Sequence, residues 1–206
     1  MENSNGICYI VGAAECSLHV APSSADMVIA ADGGYDSLVR AGIVPTLIIG
    51  DMDSVSNVPN DVEIKKFKIE KDETDTHLSL VEGASRGYKD FVILGGVGGR
   101  SDHTFANICT LLYAKRSGLR ARLVTDDEEF LVIENEKITL SRGKYCGVSV
   151  FALGGNAEGV TVKGAKYKAE NITLTPDFPL GVSNSFTAEY VEIEVLSGAL
   201  LIMLRK

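Results

Sequence analysis

Two stretches decide the fold: Met27-Val28-Ile29-Ala30-Ala31-Asp32-Gly33-Gly34 and, one element later, Thr46-Leu47-Ile48-Ile49-Gly50-Asp51-Met52-Asp53-Ser54. Each is a continuous apolar run closed by an acid and a turn signal. An unbroken apolar run of this length reads as a strand buried on both faces, as in a parallel sheet covered by helices. Asp32, Asp51 and Asp53 then fall at strand C-terminal ends, where open α/β sheets bind their ligands. Several carboxylates converging there suit a divalent cation, and Mg²⁺ prefers such hard oxygen ligands together with substrate phosphates.

Working outward, further strands are predicted at 7–11, 63–67, 91–94 and 121–125, beside 27–32 and 46–51. Residues 75–88 carry Leu78, Val81, Ala84 and Tyr88 near helical spacing, and residues 104–115 carry Phe105, Ile108, Leu111 and Leu112 on one stripe. Strand and helix in alternation predict an α/β domain with a mainly parallel α/β/α sheet over residues 1–126. At Asp126-Asp127-Glu128-Glu129 the character changes. Short β-type runs follow at 130–133, 137–140, 148–153, 159–162, 172–174 and 190–196, separated by Gly-rich turns. Residues 127–206 are therefore expected to form a smaller all-β sandwich, with 199–204 as a core or interface strand.

At 206 residues and 45% apolar content the chain can fill a sizeable core. A net charge of −8 argues against a broad nucleic-acid or anionic-membrane surface. The run 199–204 is far shorter than the roughly 20 residues a spanning helix needs. The opening Met1-Glu2-Asn3-Ser4-Asn5-Gly6 has no secretory pattern, so a cytoplasmic location is expected. Cys8, Cys16, Cys109 and Cys146 show no close pairing and read as free thiols.

The acids carry two readings each. Asp51 and Asp53, at spacing i,i+2, can flank one cation, or can close a turn with Ser54. Asp32 has the same two readings, with Gly33-Gly34 as a turn or a close backbone approach. In Lys71-Asp72-Glu73-Thr74-Asp75, Thr74 or Asp75 can cap the helix that follows, while the number of acids leaves a metal role open for Asp72 and Asp75. Gly95-Gly96-Val97-Gly98-Gly99-Arg100-Ser101-Asp102-His103 follows a strand and opens a helix. Glycines let the backbone approach an anion, the helix N-terminus offers N–H groups, and Arg100 can pair with phosphate oxygens. The Walker pattern is absent, and Ser101 stands where a dinucleotide fingerprint has its last glycine. Asn107 lies one turn after His103, so the two share a helix face. Val182-Ser183-Asn184-Ser185 alone reads as a polar turn.

Taken together, Ala31-Asp32-Gly33-Gly34, Gly50-Asp51-Met52-Asp53-Ser54, Lys71-Asp72-Glu73-Thr74-Asp75, Gly98-Gly99-Arg100-Ser101-Asp102-His103 with Asn107, and Ser183-Asn184 resemble the thiamine pyrophosphokinase family. The order runs through nearly the whole chain. The resemblance implies transfer of the diphosphate of ATP to the hydroxyethyl group of thiamine, giving thiamine diphosphate and AMP. It implies Asp32, Asp51, Asp53 and Asp75 as Mg²⁺ and substrate-positioning residues, with Asp72 a looser member. Gly33, Gly98, Gly99, Arg100, His103 and Asn107 would hold the nucleotide, Arg100 through its phosphates. Asp102 would contact thiamine or the metal network, and Asp75 or Asp102 would take the hydroxyl proton. Ser183 and Asn184 would contact thiamine in a homodimer whose β-sandwich meets the partner's α/β domain. Some family members set a Trp on the last strand against the thiamine ring. This chain has no Trp, Leu200-Leu201-Ile202 stands there, and aliphatic packing, Phe186 or Tyr190 is expected to replace it. The alternatives are a pyrophosphokinase for another primary alcohol such as a pterin alcohol, a metal-dependent phosphohydrolase, and a non-catalytic nucleotide or thiamine sensor.

Overall fold

The computed structural model describes residues 6–50, 62–66 and 72–206. The chain divides into two compact units, Met1–Asp126 and Asp127–Lys206. It is a mixed α/β protein with few helices.

The described residues of the first unit form six strands: β1 (Ile7–Val11), β2 (Met27–Ala31), β3 (Leu47–Gly50), β4 (Glu63–Lys66), β5 (Asp90–Leu94) and β6 (Arg120–Val124). Among the described residues three helices lie between them: α1 (Gly34–Arg40), α2 (Asp75–Ser85) and α3 (Ser101–Arg116). Strand order is β4-β3-β2-β1-β5-β6 and every pairing is parallel. Every residue of β2 and β3 is buried, which is why both read as unbroken apolar runs. One face of the sheet, through Val11, Val28, Ala30, Ile48, Val92 and Leu94, packs with Tyr35 and Leu38 of α1. Side chains alternate across a strand, so Cys8 and Phe91 point to the opposite face. There α2 closes on the sheet at Gly83, where a Cβ would stand 2.8 Å from both Cys8 Sγ and Phe91 Cε1.

Helix α2 starts where Thr74 Oγ1 accepts from the His77 amide at 3.2 Å. It ends before Gly87, whose φ of 96° is left-handed. The 16-residue α3 begins at Ser101, three residues ahead of the sequence expectation, because its first turn is polar and carries no apolar stripe. The seven-residue α1 is not predicted from sequence, since Gly34-Tyr35-Asp36-Ser37-Leu38-Val39-Arg40 is too short to show a period.

The second unit contains β7 (Glu128–Glu134), β8 (Lys137–Ser141), β9 (Gly147–Lys163), β10 (Ala169–Leu174), β11 (Asn184–Ser185), β12 (Tyr190–Glu194) and β13 (Ser197–Arg205). All its pairings are antiparallel. The 17-residue β9 replaces the two strands expected at 148–153 and 159–162. Its first half pairs with β13 and β11, its second half with β10 and β12. The switch falls at Gly154 and Gly155, which both have positive φ and which suggest a turn in sequence. Val148, Val150, Val160, Val162, Val191, Ile193, Leu200 and Ile202 share one buried cluster.

No helix among the described residues is long and apolar enough to cross a membrane.

Candidate active site

In the first unit the chain reverses direction across the sheet between β1 and β5: β1 is flanked by β2 on one side and β5 on the other. Loops leaving the C-terminal ends of two such strands part from each other and open a crevice. A cleft of about 280 Å³ lies there, lined by Gly12, Ala13 and Ala14 after β1, Ala31 and Asp32 after β2, Asp75 and Thr76 at the start of α2, and the 95–107 loop and helix.

Its floor is made of backbone. The Gly12 amide donates to Leu94 O at 2.8 Å and the Ala14 amide to Gly95 O at 3.0 Å, extending the β1–β5 pairing into the loops. Gly95 sits at φ 61°, and a Cβ there would meet Gly12 O at 2.5 Å and Ala14 O at 2.8 Å. Only glycine fits both the conformation and the space. Above it Gly98 and Gly99 also have positive φ, with nothing within 4 Å of a built Cβ. They serve the path of the loop, not its packing.

Asp32 closes β2 in the left-handed region, at φ 48°. That conformation is uncommon for a residue other than glycine, and Asp is among those that tolerate it. Its amide donates to Ile49 O at 2.8 Å. A Cβ on Gly50 would lie 3.2 Å from Asp32 Cα, so the ends of β2 and β3 run side by side. Asp75 is the first residue of α2, and its carbonyl accepts from Ser79 Oγ at 2.7 Å. On α3, Asn107 is 5% exposed and its Nδ2 donates to Gly96 O at 2.8 Å, fixing the glycine loop from below.

Arg100 spans Asp102 through two bonds, Nε to Oδ1 at 3.2 Å and Nη2 to Oδ2 at 2.6 Å. The His103 amide adds a donor to Asp102 Oδ1 at 3.0 Å. The guanidinium, more than the amide, holds the Asp102 carboxyl below the usual carboxylate range. Both side chains are exposed, so the pair is worth little to stability and can be exchanged for another anion on Arg100.

Of the sequence-predicted residues, the structure brings Asp32, Asp75, Gly98, Gly99, Arg100, His103 and Asn107 to this cleft. Gly33 does not line it; it precedes α1 and packs toward Ala13. Asp102 does not line it either. Asp72 and Glu73 are exposed and outside it. Asp51 and Asp53 lie outside the described residues. Sequence reasoning missed Gly12, Ala13, Ala14 and Thr76. A run of small residues directly after an apolar strand was the available signal for the first three.

Ser183 and Asn184 belong to the second unit, among the residues that line a cavity of about 500 Å³. Its wall is aliphatic, with Val150, Val160, Val162, Ile172, Leu174 and Leu180, and Tyr167 and Lys168 stand at its rim. Ser183 has φ 58° and its amide donates to Ser149 Oγ at 3.1 Å. Asn184 is committed to the protein: Oδ1 accepts from the Tyr167 amide at 2.9 Å and Nδ2 donates to Tyr167 O at 2.7 Å. It clamps the Tyr167 backbone. Leu200 and Ile202 are fully buried in the core, and Phe186 is 7% exposed, so the aromatic at this rim is Tyr167, at 61% exposure, and neither Phe186 nor Tyr190.

Among the described residues no group of three or more His, Cys, Asp and Glu gathers as a metal cluster. Asp32 and Asp75 bring two hard carboxylates to one cleft beside a phosphate-suited loop, a donor set that fits Mg²⁺ shared with substrate phosphates. Two helix N-termini, of α2 and α3, open on the same space and favour negative charge there.

These features define a parallel α/β unit with a glycine-lined cleft at its sheet crossover, joined in one chain to an antiparallel β unit. A model of the thiamin pyrophosphokinase catalytic domain matches residues 18–123, and one of the thiamin pyrophosphokinase vitamin B1 binding domain matches residues 132–200. The chain belongs to the thiamin pyrophosphokinase family. It is 26% identical over 187 residues to the thiamine pyrophosphokinase of Bacillus subtilis (strain 168), covering 86% of each chain. It is 28% identical over 175 residues to thiamine pyrophosphokinase 1 of Oryza sativa subsp. japonica, covering 75% of this chain and 64% of that one. The crystal structure of the Bacillus subtilis thiamine pyrophosphokinase superposes with a TM-score of 0.86 at 21% identity, covering 98% of this chain and 99% of that one. Yeast thiamin pyrophosphokinase superposes with a TM-score of 0.77 at 18% identity, covering 100% and 88%. At such identities the superpositions speak for a common fold.

Proposed function

We propose that this protein transfers the diphosphate of ATP to the hydroxyethyl oxygen of thiamine, giving thiamine diphosphate and AMP. The observation that carries the reading is the cleft at the β1–β5 crossover, where two carboxylates, a glycine loop, Arg100 and two helix N-termini meet, in a chain of this family. The reaction forms a bond from the alcohol oxygen to the β-phosphorus and breaks the bond from that phosphorus to the oxygen bridging to the α-phosphate. In-line displacement of this kind needs positioning and charge stabilisation and no covalent nucleophile.

The 95–99 backbone and the start of α3 would cradle the phosphates, with Asn107 holding the loop's shape through Gly96 O. Arg100 would exchange Asp102 for a phosphate oxygen. Asp32 and Asp75, with Asp51 and Asp53 from the sequence motif, would hold Mg²⁺, which when bound supplies charge neutralisation on the β- and γ-phosphates. Of the two candidates for accepting the hydroxyl proton, Asp75 is the better placed. It lines the cleft, whereas Asp102 is exposed and held by Arg100.

The second unit would act as a β-sandwich that presents Ser183 and Tyr167 to thiamine, with Asn184 fixing Tyr167. An aromatic face suits a cationic thiazolium. A homodimer is part of this proposal, and sedimentation at micromolar concentration tests it. A cytoplasmic location belongs with it too, and four free thiols accord with a reducing compartment.

The test is a product assay with ATP, Mg²⁺ and thiamine, with controls lacking thiamine or metal. The expected products are AMP and thiamine diphosphate in equal amounts. ADP with thiamine monophosphate, or ATP consumed without thiamine, would overturn the reading.

A further inference from the structure

Among the described residues the buried polar side chains form a short census: Ser37, Thr76, Ser79, Asn107, Thr110 and Glu129. Five have a protein partner. Ser37 Oγ accepts from Arg40, Ser79 Oγ donates to Asp75 O, Asn107 Nδ2 donates to Gly96 O, Thr110 Oγ1 donates to Ala106 O, and Glu129 accepts from Tyr145 at 2.5 Å. Thr76 is 8% exposed, and its hydroxyl has no hydrogen-bond partner among the described residues. A buried hydroxyl left without a partner costs stability, and each such group in a native protein calls for a reason.

Its location supplies one. Thr76 is the second residue of α2 and lines the cleft between Asp75 and the glycine loop. The Thr74 hydroxyl is taken by the His77 amide, so the cap at this helix start does not occupy Thr76. Asn107, on the neighbouring helix, uses one of its two N–H groups on Gly96 O and lines the same cleft. A helix start and two buried side chains that can donate, Thr76 and Asn107, line one cleft and match an acceptor-only group, which a phosphate is.

We infer that the Thr76 hydroxyl, beside Asn107, donates a hydrogen bond to a phosphate oxygen of the nucleotide substrate, and that no other described residue satisfies this hydroxyl before the substrate arrives. The inference rests on the cleft being the nucleotide site, as proposed above. It makes Thr76 a binding residue that costs the free protein stability.

Thr76→Val keeps the shape of the side chain and removes the hydroxyl; Thr76→Ser keeps the hydroxyl. Calorimetric titration with Mg²⁺-pyrophosphate and with Mg²⁺-ATP, and thermal melting with and without each, give the readout. In Thr76→Val the dissociation constants are expected to rise about tenfold, the loss of one hydrogen bond to a charged group. The melting temperature of the free protein is expected to hold or rise, and the shift that Mg²⁺-pyrophosphate produces to shrink. Thr76→Ser should restore both affinities to within about threefold. Dissociation constants within twofold of the parent in Thr76→Val would overturn the inference, as would a lower free-state melting temperature, which marks a hydroxyl already satisfied by the fold. A parent protein that binds neither probe would overturn it as well. Pyrophosphate binding needs no turnover, so a protein that binds it yet makes no AMP with thiamine would sink the proposed reaction and leave Thr76 standing.

Discussion

The two units bury different things. The first buries Ser37, Thr76, Ser79, Asn107 and Thr110 within an otherwise apolar core, and it holds Asp32 and Gly95 in left-handed conformations at strand ends. The second buries one polar side chain, Glu129, and its cavity is walled by Val, Ile and Leu. A cleft for phosphates requires donors, close backbone approach and charge, all of which cost folding energy. A cavity for an organic ring requires mostly area and shape. On the proposed assignment the chain would separate the costly polar site, placed on a parallel sheet, from the apolar one, placed in the antiparallel unit.

The substitution expected to act most strongly tests the polar side. Asp32→Asn keeps a side chain that tolerates φ 48°, so the fold should persist while the carboxylate is lost. Turnover should fall on the order of a thousandfold, as for loss of a preorganised charge-stabilising group, with the melting temperature within a few degrees of the parent. Asp75→Asn should behave alike, and near-parental AMP formation in both would remove the metal and base roles from this cleft.

On the apolar side the expectation reverses. Leu200 is fully buried in the second unit's cluster, and Leu200→Ala should cost about 3 kcal/mol in urea unfolding while the KM for ATP stays put. A shifted ATP KM would break the division of labour. Smaller again is the effect at the rim. Tyr167→Ala should raise the KM for thiamine about tenfold through loss of a ring contact, with Tyr167→Phe near neutral; equal KM values in both variants would place the thiazolium elsewhere.

What could be read from the sequence follows the same division. The strands β2 and β3 were legible because burial on both faces leaves no polar residue to interrupt them. The glycine loop was legible because Gly98, Gly99 and Arg100 carry chemistry in their identity. Gly12, Ala13 and Ala14 were not, since they contribute backbone alone. Thr76 was hidden behind Asp75, because a Thr in a first helical turn reads as ordinary and only burial without a partner among the described residues sets it apart. Asn184 suggested a ligand contact, yet its amide turns to Tyr167, a partner 17 residues away that no local pattern shows. In β9 the pair Gly154-Gly155 looks like a turn, whereas it lets one strand serve two sheets.

The thiols offer the finest probe of the division, because they sample both units. Cys8 lies under α2 in the first unit, fully buried, and burial pushes its thiol up to about 12. Cys146 in the second unit is exposed, its Sγ 3.1 Å from Lys206 O. Cys146 is open to solvent, so an aromatic disulfide reagent should modify it within seconds to minutes. Cys8 should react only when the first unit opens. A ligand that binds the closed form lowers that opening by the factor 1 + [L]/Kd, so Mg²⁺-ATP at about a hundred times its Kd should slow Cys8 labelling about a hundredfold. Cys146 should keep its rate, since its exposure does not wait on opening. Cys8 reacting as fast as Cys146 would mean that α2 does not seal the sheet, and a Cys8 rate indifferent to Mg²⁺-ATP would mean that the nucleotide binds outside the unit this thiol reports on.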